Sequence, residues 1–350
     1  DYATVPNDYK KNLVTRIKII AGMNITENRL PQDGAIKTSL NGIPLDMRVS
    51  SLPTNNGEKI VIRILDYSMS IQGLEQLGFT KDNFEKIMKM INLPNGIILV
   101  TGATGTGKST TVYSILQRLN REEANVITVE DPVEMDIPGV NQVQVNSEIG
   151  LTFANVLRSI LRQDPDIIMI GEIRDDETAT IAVRASVTGH LVLSTIHTID
   201  AVEVITRLRK IGISDYDISS TLATAISQRL VRKICPNCRK ERPFNDQEKK
   251  IITSIGEKYG IKYDLDNAVT YDAVGCAKCN HSGYAGRIAC FEILNLDEET
   301  KELIMNGASS IEIRKCALKG TYRPLLVDGI NKVVKGITTL DELNRKLRVF

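Results

Sequence analysis

The clearest evidence for the fold is one segment, Gly96-Ile-Ile-Leu-Val-Thr101-Gly102-Ala-Thr-Gly-Thr-Gly107-Lys108-Ser109. Residues 96–101 form an apolar run with the length of a buried strand, and residues 108–119 have the periodicity of a helix. The segment between them matches G-x-x-x-x-G-K-[ST], a phosphate-binding loop, in the strand–loop–helix context that this motif requires. A chance match on a Gly/Thr-rich turn is disfavoured because all three parts are in place. The stretch therefore predicts a P-loop α/β fold.

The residue types of this loop suit a nucleoside triphosphate. Glycines let backbone N–H groups point inward around phosphate oxygens, and the start of the helix adds partial positive charge. We expect Lys108 to reach the β- and γ-phosphates and the Ser109 hydroxyl to ligate Mg²⁺. The predicted nucleotide-binding residues of the loop are Gly102, Thr104, Gly105, Thr106, Gly107, Lys108, Ser109 and Thr110.

Outward from this loop, short apolar strands alternate with helices, which predicts a parallel sheet covered on both faces. Further strands are predicted at residues 126–130, 167–170 and 190–196. Helices are predicted at residues 152–162, 177–187, 201–211, 218–231, 298–305, 311–318, 325–334 and 340–347. Before residue 66 the pattern differs. A helix at 7–23 and period-two strands at 35–40, 43–51 and 59–65, with turns at Asn41-Gly42 and 53–57, predict a small α+β domain.

Acidic residues close two of the predicted strands. Glu130 and Asp131 follow one strand, and Glu172 follows another. Because the carboxyl ends of parallel strands meet at one edge of a sheet, we expect these carboxylates beside the phosphate loop, where they would hold Mg²⁺ and orient the attacking water. Asp131 is equally consistent with capping the turn at Pro132.

His197 comes just after the strand predicted at 190–196. At that place it would contact the γ-phosphate or signal its loss, and a structural or solvated histidine fits the pattern equally well.

Four of the six cysteines form two C-x-x-C pairs, Cys235 with Cys238 and Cys276 with Cys279. Each such turn presents two thiolates on one side of a tight loop, and four thiolates suit tetrahedral Zn²⁺. The spacer of residues 239–275 exceeds the ~15–20 residues of an ordinary zinc ribbon, so we expect an additional helix near 247–259. A redox or free-thiol role is the disfavoured alternative.

The composition limits the class of protein. Lys plus Arg number 44 against 43 Asp plus Glu, and aromatic residues make up 5% of the chain with no Trp. The chain thus has no basic excess, and it has few aromatic residues that could stack on bases. Nucleic-acid binding is therefore not expected. No apolar run approaches the ~18–20 residues of a membrane span. The paired cysteines favour a reducing compartment, so a cytoplasmic protein is expected.

Taken in order, these motifs closely resemble those of the secretion ATPase superfamily, and within it the type IV pilus extension (assembly) ATPases and the type II secretion ATPases. Besides the phosphate loop and the four cysteines, the matching boxes are Leu30-Pro-Gln-Asp-Gly34, Asp46-Met-Arg48, Gly57 through Ile64, Glu130-Asp-Pro-Val-Glu134, Gly171-Glu-Ile-Arg-Asp175, and Thr188-Gly-His190 through His197-Thr198. Pilus retraction ATPases share the core boxes but lack the four cysteines. The resemblance therefore favours extension or secretion.

The resemblance implies roles for single residues. These are a Walker B glutamate at Glu172, an Asp-box glutamate at Glu130, a His-box sensor at His197, phosphate-approaching arginines at Arg48 and Arg63, and an adenine pocket at Leu77 and Gly78. Ala35 stands where relatives often have Arg, and Ile199 where Asn is common. Neither departure removes Lys108 or a predicted carboxylate.

The resemblance also implies a domain organisation and a function. Residues 1–66 would be a PAS-like second N-terminal domain, 67–76 a linker, and 77–350 a RecA-like ATPase domain with a zinc-binding insertion at 233–282 and a C-terminal helical region at 296–350. The implied function is a hexameric Mg-ATP-hydrolysing motor for type IV pilus assembly, which acts on an inner-membrane platform protein and binds no nucleic acid. A type II secretion pseudopilus is the first alternative. A nucleic-acid translocase and a nucleotide-sensing scaffold are the weaker ones.

Overall fold

The computed structural model describes residues 3–40, 43–66 and 73–347. The chain divides into two units, Asp1–Ser70 and Ile71–Phe350. The predicted turn at Asn41-Gly42 and residues 67–72 of the predicted linker lie outside the described residues.

The first unit combines one helix with an antiparallel meander, in the strand order β1-β2-β3. Its elements are α1 (Asn7–Ile20), β1 (Gln32–Leu40), β2 (Ile43–Thr54) and β3 (Gly57–Asp66). Buried Ile36 and Val49 pack with Ala21 and Met23 in a small core. Because alternate side chains of a strand point to opposite faces, Ile36 and Val49 lie on the face of the sheet that forms this core. Its assignment as PAS-like stays a prediction.

A mostly parallel sheet forms the centre of the second unit. Within the described residues its strand order is β12-β9-β4-β8-β7-β5-β6, and only the β12–β9 pair in it is antiparallel. The strands are β4 (Gly96–Thr101), β5 (Val126–Glu130), β6 (Asn141–Gln144), β7 (Ile167–Ile170), β8 (Leu191–Ile196), β9 (Leu222–Ile234) and β12 (Tyr284–Asn295). The predicted α/β fold with a parallel sheet is confirmed.

Helices cover both faces of this sheet. Leu99 of β4 belongs to a hydrophobic cluster on one face, and its neighbour Ile98 belongs to a second cluster on the other. The helices of the second unit are α2 (Lys81–Ile91), α3 (Lys108–Leu119), α4 (Phe153–Ile160), α5 (Asp176–Val187), α6 (Glu203–Ile211), α7 (Asp215–Thr221), α8 (Asp246–Tyr259), α9 (Glu298–Met305), α10 (Ser310–Lys319), α11 (Leu325–Val334) and α12 (Leu340–Leu347). The central strands β4, β5, β7 and β8 are buried at every position, and they are therefore mainly apolar rather than alternating.

The helix predicted at residues 218–231 is wrong. Helix α7 ends at Thr221, and strand β9 then runs from Leu222 to Ile234 between β4 and β12. Ile218, Leu222, Ile226 and Leu230 recur every four residues, a spacing typical of a helix. The strand is buried on both faces over most of its length, which removes the alternation that would have identified it.

The segment between the cysteine pairs folds against the end of the chain. It contains the two-stranded sheet of β10 (Arg239–Pro243) and β11 (Val269–Ala273), together with helix α8. The helix at 246–259 confirms the expectation of an additional helix there. Ile252 and Ile255 of α8 share a buried cluster with Ile330 of α11 and Leu343 of α12. The insertion and the C-terminal helices therefore have one common core.

No helix within the described residues is long and apolar enough to cross a bilayer.

Buried Glu342 links helix α12 to strand β9 of the sheet. It accepts hydrogen bonds from Arg232 Nη2 of β9 and from Arg345 Nη2, each at 2.7 Å. Burial opposes ionisation of this carboxyl, but the hydrogen bonds from Arg345 and Arg232 prevail and lower its pKa to about 2. The carboxylate form therefore stabilises the fold above the ordinary pKa of 4.5, and this stabilisation is lost as the pH falls toward 2.

We predict that Glu342→Gln lowers the stability of the protein by about 2 kcal/mol at neutral pH, because two guanidinium groups lose their charged acceptor. Thermal unfolding at pH 7 and at pH 3 measures the effect, and the difference from the parent protein should shrink at the lower pH. Glu298→Gln is the control, because Glu298 is 92% exposed in a surface pair with Lys301. A pH-independent difference would contradict the role of the Glu342 carboxylate.

Candidate functional site

The phosphate loop connects the end of β4 to the start of α3, and its backbone requires glycine at two positions. Gly102 has φ of +148°, and a Cβ there would lie 2.6 Å from Thr106 Oγ1. Gly107 caps α3 in the left-handed conformation, with φ of +89°. Side chains are strained at both places, so the loop curls tightly into the helix start. Thr104, Gly105, Ser109 and Thr110 are exposed along it.

Lys108 folds back over the loop. Its Nζ donates to the carbonyl oxygens of Gly102 at 3.0 Å and Ala103 at 3.2 Å. Burial lowers the pKa of this ammonium, while the negative charge of Glu172 raises it. Both hydrogen-bond acceptors are neutral, so an anion held in the loop would be the stronger partner for Lys108.

Glu172 and His197 meet beside the loop. Glu172 Oε1 lies 3.1 Å from His197 Nε2, and its Oε2 accepts from Arg174 Nε at 2.8 Å. His197 Nδ1 lies 3.1 Å from the Gly102 carbonyl oxygen, which also accepts from Lys108. The structure thus joins Lys108, His197 and Glu172 through the first residue of the loop.

Both ring nitrogens of His197 face an oxygen, the Gly102 carbonyl on one side and the Glu172 carboxylate on the other. The imidazole ring thereby bridges the phosphate loop and Glu172.

Glu130 lies apart from these three residues. Its side chain is 2% exposed and accepts from Thr128 Oγ1 at 2.6 Å, Gln142 Nε2 at 3.0 Å and the Tyr113 hydroxyl of α3. Burial and the Glu130 carboxylate together raise the pKa of Tyr113 far above its usual value. Among the described residues, no hydrogen bond or ion pair joins Glu130 to Lys108, His197 or Glu172. The carboxylates of Glu130 and Glu172 are therefore held in different environments.

The loop after β8 is fixed at both ends. Thr198 donates its backbone N–H to Thr101 Oγ1 at 2.8 Å, at the end of β4. Asp200 accepts from Arg314 Nη2 of α10 at 2.8 Å. Residues 197–200 are thereby held between the phosphate-loop strand and a C-terminal helix.

Glu292 of β12 completes this anchoring. It is 3% exposed and accepts from the backbone N–H of Ala201 at 2.9 Å and from the Tyr322 hydroxyl at 2.7 Å. Burial raises its pKa. Sequence analysis did not identify Glu292. A glutamate inside the apolar run Ala289-Cys-Phe-Glu-Ile-Leu294 is the signal that could have indicated it.

Sequence reasoning also missed Gln228 and Arg229 of β9, because the segment was predicted as a helix. Gln228 Nε2 donates to the Thr106 carbonyl of the phosphate loop at 2.8 Å. Arg229 donates to the Ile199 carbonyl at 3.1 Å. Once β9 is placed beside β4, both side chains fall next to the loop.

Arg48 and Arg63 lie in the first unit and are direct partners across β2 and β3. They share the face of the sheet opposite to buried Val49. Ala35 pairs with Arg48 across β1 and β2, so the three positions form one row.

The surroundings of Leu77 and Gly78 are closely packed, unlike those of an open nucleotide pocket. Leu77 is 6% exposed, and its carbonyl oxygen accepts from the Ala289 N–H at 3.4 Å. A Cβ on Gly78 would lie 2.4 Å from Ile288. These residues pack against β12, and their assignment to an adenine pocket stays a prediction.

The four paired cysteines come together. Their Sγ atoms all lie within 4.8 Å of one another, and Cys279 Sγ is 3.8 Å from both Cys238 Sγ and Cys276 Sγ. All four are free thiols. Backbone N–H groups of Gly275 and Cys276 point at Cys238 Sγ and Cys279 Sγ, at 3.3 and 3.1 Å. This cluster could bind a metal ion. Cys290 and Cys316 are buried elsewhere.

A parallel sheet with this glycine-rich loop at the carboxyl end of a central strand defines the class of P-loop proteins. Within that class the chain matches the family described as Type II/IV secretion system protein over residues 3–345, and it belongs to that family. The resemblance drawn from the sequence motifs is confirmed.

Relatives in two systems resemble the chain about equally. It is 46% identical over 333 residues to the type II secretion system ATPase E of Vibrio cholerae, and the aligned region covers 95% of this chain and 64% of that protein. It is 45% identical over 343 residues to the type IV pilus assembly ATPase PilB of Thermus thermophilus, which covers 98% of this chain and 38% of that protein. The chain thus spans less than two thirds of the length of these relatives.

Solved structures share the fold. The ATPase DotB of Legionella pneumophila has a TM-score of 0.70 at 23% identity, with 99% of this chain and 85% of that chain covered. The pilus retraction motor PilT with bound ADP has a TM-score of 0.64 at 24% identity, with 97% and 80% covered.

Proposed function

We propose that this chain is the ATP-hydrolysing part of a motor that powers assembly of type IV pili. The observation that carries the proposal is the hydrogen-bonded series Lys108–Gly102–His197–Glu172 at the carboxyl edge of the sheet. It places a cation for phosphates, a titratable ring and a carboxylate around one loop. The similarity to pilus assembly ATPases adds the type of work that hydrolysis would drive.

The reaction proposed is ATP + H2O to ADP + phosphate. Lys108 would exchange its two carbonyl partners for oxygens of the β- and γ-phosphates. Glu172, held by His197 and Arg174, would orient the attacking water. Mg²⁺ bound at Ser109 would neutralise charge on the phosphate oxygens. Loss of the γ-phosphate would change the contacts of His197, whose ring already bridges the loop and Glu172. Glu130 would support the site through its hydrogen bond with Tyr113 of α3. It would not be a member of the Lys108–Gly102–His197–Glu172 series.

The first unit would supply arginines to the phosphates. Arg48 and Arg63 present two guanidinium groups on one face of the antiparallel sheet. We assign residues 1–66 to a PAS-like domain, 67–76 to a linker and 77–350 to the ATPase domain. Closure of the first domain on ATP, and its release after hydrolysis, would convert binding energy into motion.

The working assembly would be a homo-hexamer at the cytoplasmic face of the inner membrane, docked on a platform protein of the pilus machinery. Relatives named for secretion systems and pilus assembly support a component that acts with other proteins.

The metal proposed for the four cysteines is Zn²⁺. Four thiolates at the Zn–S distance of about 2.3 Å form a tetrahedron with edges of about 3.8 Å. Two of the sulfur pairs have this separation. Bound zinc would fix both ends of the insertion, whose helix α8 packs on α11 and α12. Its role would be structural.

A type II secretion pseudopilus motor is the second candidate, because the similarity to type II secretion ATPases is equal. Deleting the gene in its own organism separates the two candidates. Loss of surface filaments supports the first, and loss of protein secretion with filaments intact supports the second.

We predict that Lys108→Ala weakens ATP binding at least tenfold, because it removes the cation that faces the phosphates. Glu172→Gln should keep ATP binding and lower kcat by about 10²-fold or more, because it removes the charge that orients water but keeps the side-chain shape. Equilibrium binding and steady-state hydrolysis measure the two effects. Glu177→Gln makes the same change in an exposed pair with Arg158 and should have the parent rate. Hydrolysis by Glu172→Gln at the parent rate would refute the role of Glu172.

One Zn²⁺ per chain is expected from elemental analysis of purified protein. The double substitution Cys235→Ser with Cys276→Ser should lose it, because each pair loses one thiolate. Cys316→Ala should keep it, because Cys316 lies outside the cluster. Stoichiometric iron, or full zinc in the double variant, would contradict the assignment.

Arg48→Ala and Arg63→Ala should each lower kcat at least tenfold while zinc content and thermal unfolding stay unchanged, because an arginine on the γ-phosphate acts mainly in the transition state. Lys59→Ala is the matched control, four residues before Arg63 on the same face of β3. Restored activity on mixing Glu172→Gln with Arg63→Ala would indicate sites built from two chains. Full activity in both arginine variants would return these residues to the solvated surface.

A further inference from the structure

Strand β9 contacts the phosphate loop near both ends of the loop. Gln228 Nε2 donates to the Thr106 carbonyl oxygen at 2.8 Å, and a Cβ on Gly107 would lie 3.1 Å from the same nitrogen. At the other end, a Cβ on Gly102 would lie 2.8 Å from the Gln228 carbonyl oxygen. The side chain and the backbone of one residue therefore brace the loop.

The direction of the Thr106 carbonyl fixes the direction of the next N–H. A trans peptide is planar, and its C=O and N–H point to opposite sides. Because the Thr106 carbonyl points toward Gln228, the N–H of Gly107 points away from β9. Successive N–H groups turned the same way form an anion-binding concavity. Gly107 itself, at φ of +89°, offers little resistance to rotation of this peptide.

The core gains little from this amide. Gln228 is 1% exposed, and within the described residues its Oε1 has no hydrogen-bond partner. A buried amide with one group unsatisfied destabilises a core relative to an apolar side chain of the same size. The contact that distinguishes glutamine from methionine at this place is the one with the loop.

We propose that Gln228 is a positioning residue for the phosphate loop. By holding the Thr106 carbonyl on the β9 side, it keeps the Gly107 N–H directed at the phosphates of a bound nucleoside di- or triphosphate. The inference rests on the proposed ATPase function. It assigns Gln228 no contact with the nucleotide.

Removal of the amide donor has a specific kinetic signature. The Gly107 N–H would contact phosphate in the ground state and in the transition state alike, so its misdirection costs uniform binding. We expect Gln228→Met to raise both the Kd and the KM for ATP about tenfold and to leave kcat within about twofold. A general loss of folded protein would lower the apparent kcat and leave KM unchanged.

The experiment compares the full chain with Gln228→Met, Gln228→Glu and Ser227→Ala. Glutamate keeps the size but places an acceptor against the Thr106 carbonyl, so its effect on KM should be at least as large as that of methionine. Ser227→Ala is the matched control, because the neighbouring Ser227 hydroxyl is buried and has no partner among the described residues. It should retain the parent Kd, KM and kcat. ATP binding, steady-state hydrolysis and thermal unfolding are measured for each protein.

Four outcomes would overturn the inference. They are an unchanged KM in Gln228→Met, a fall in kcat alone, an equal rise in KM in Ser227→Ala, and failure of both Gln228 variants to fold, which would show that the residue serves the core. If the parent protein itself neither binds nor hydrolyses ATP, the proposed function fails and this inference with it. That result is distinct from each of the four.

Discussion

The parallel pairing of β4 with β8 on one side and β9 on the other is the constraint on which the site depends. Inside a sheet buried on both faces, every backbone group is committed to a neighbouring strand. Only at the carboxyl ends do loops begin and polar groups become available. The phosphate loop, Glu172 and His197 all occur within a few residues of such an end.

The three strands contribute different parts. Strand β4 leads into the loop, β8 ends one residue before His197, and β9 places Gln228 and Arg229 beside the loop from within the sheet. The site is thus assembled from segments that are spread over more than a hundred residues of sequence, from the phosphate loop to β9. The positions of Glu172, His197 and Gln228 relative to the loop follow from strand order, whereas the shape of the loop itself comes from its local motif.

The sequence identified the parts of the site whose chemistry is local. A glycine-rich loop, a glutamate closing an apolar strand and paired cysteines are visible in a few consecutive residues, and the structure brings Lys108, Glu172 and His197 together. Strand β9 was predicted as a helix because burial on both faces removed the alternation of a strand, while Leu222, Ile226 and Leu230 have a spacing typical of a helix. The position of Gln228 beside the phosphate loop was therefore not predicted. The position of Glu130 could not be predicted either, because it depends on how Tyr113 of helix α3 and Gln142 of edge strand β6 pack around the end of β5, and no local pattern indicates that packing.

The anchoring of the loop after β8 has a mechanical consequence. Residues 197–200 hold the phosphate loop through Thr198 and His197, and they hold helix α10 through the pair of Asp200 with Arg314. Because the segment is held at both of its ends, a shift of His197 would strain or break one of these contacts. The segment therefore couples the phosphate loop to helix α10 of the C-terminal region.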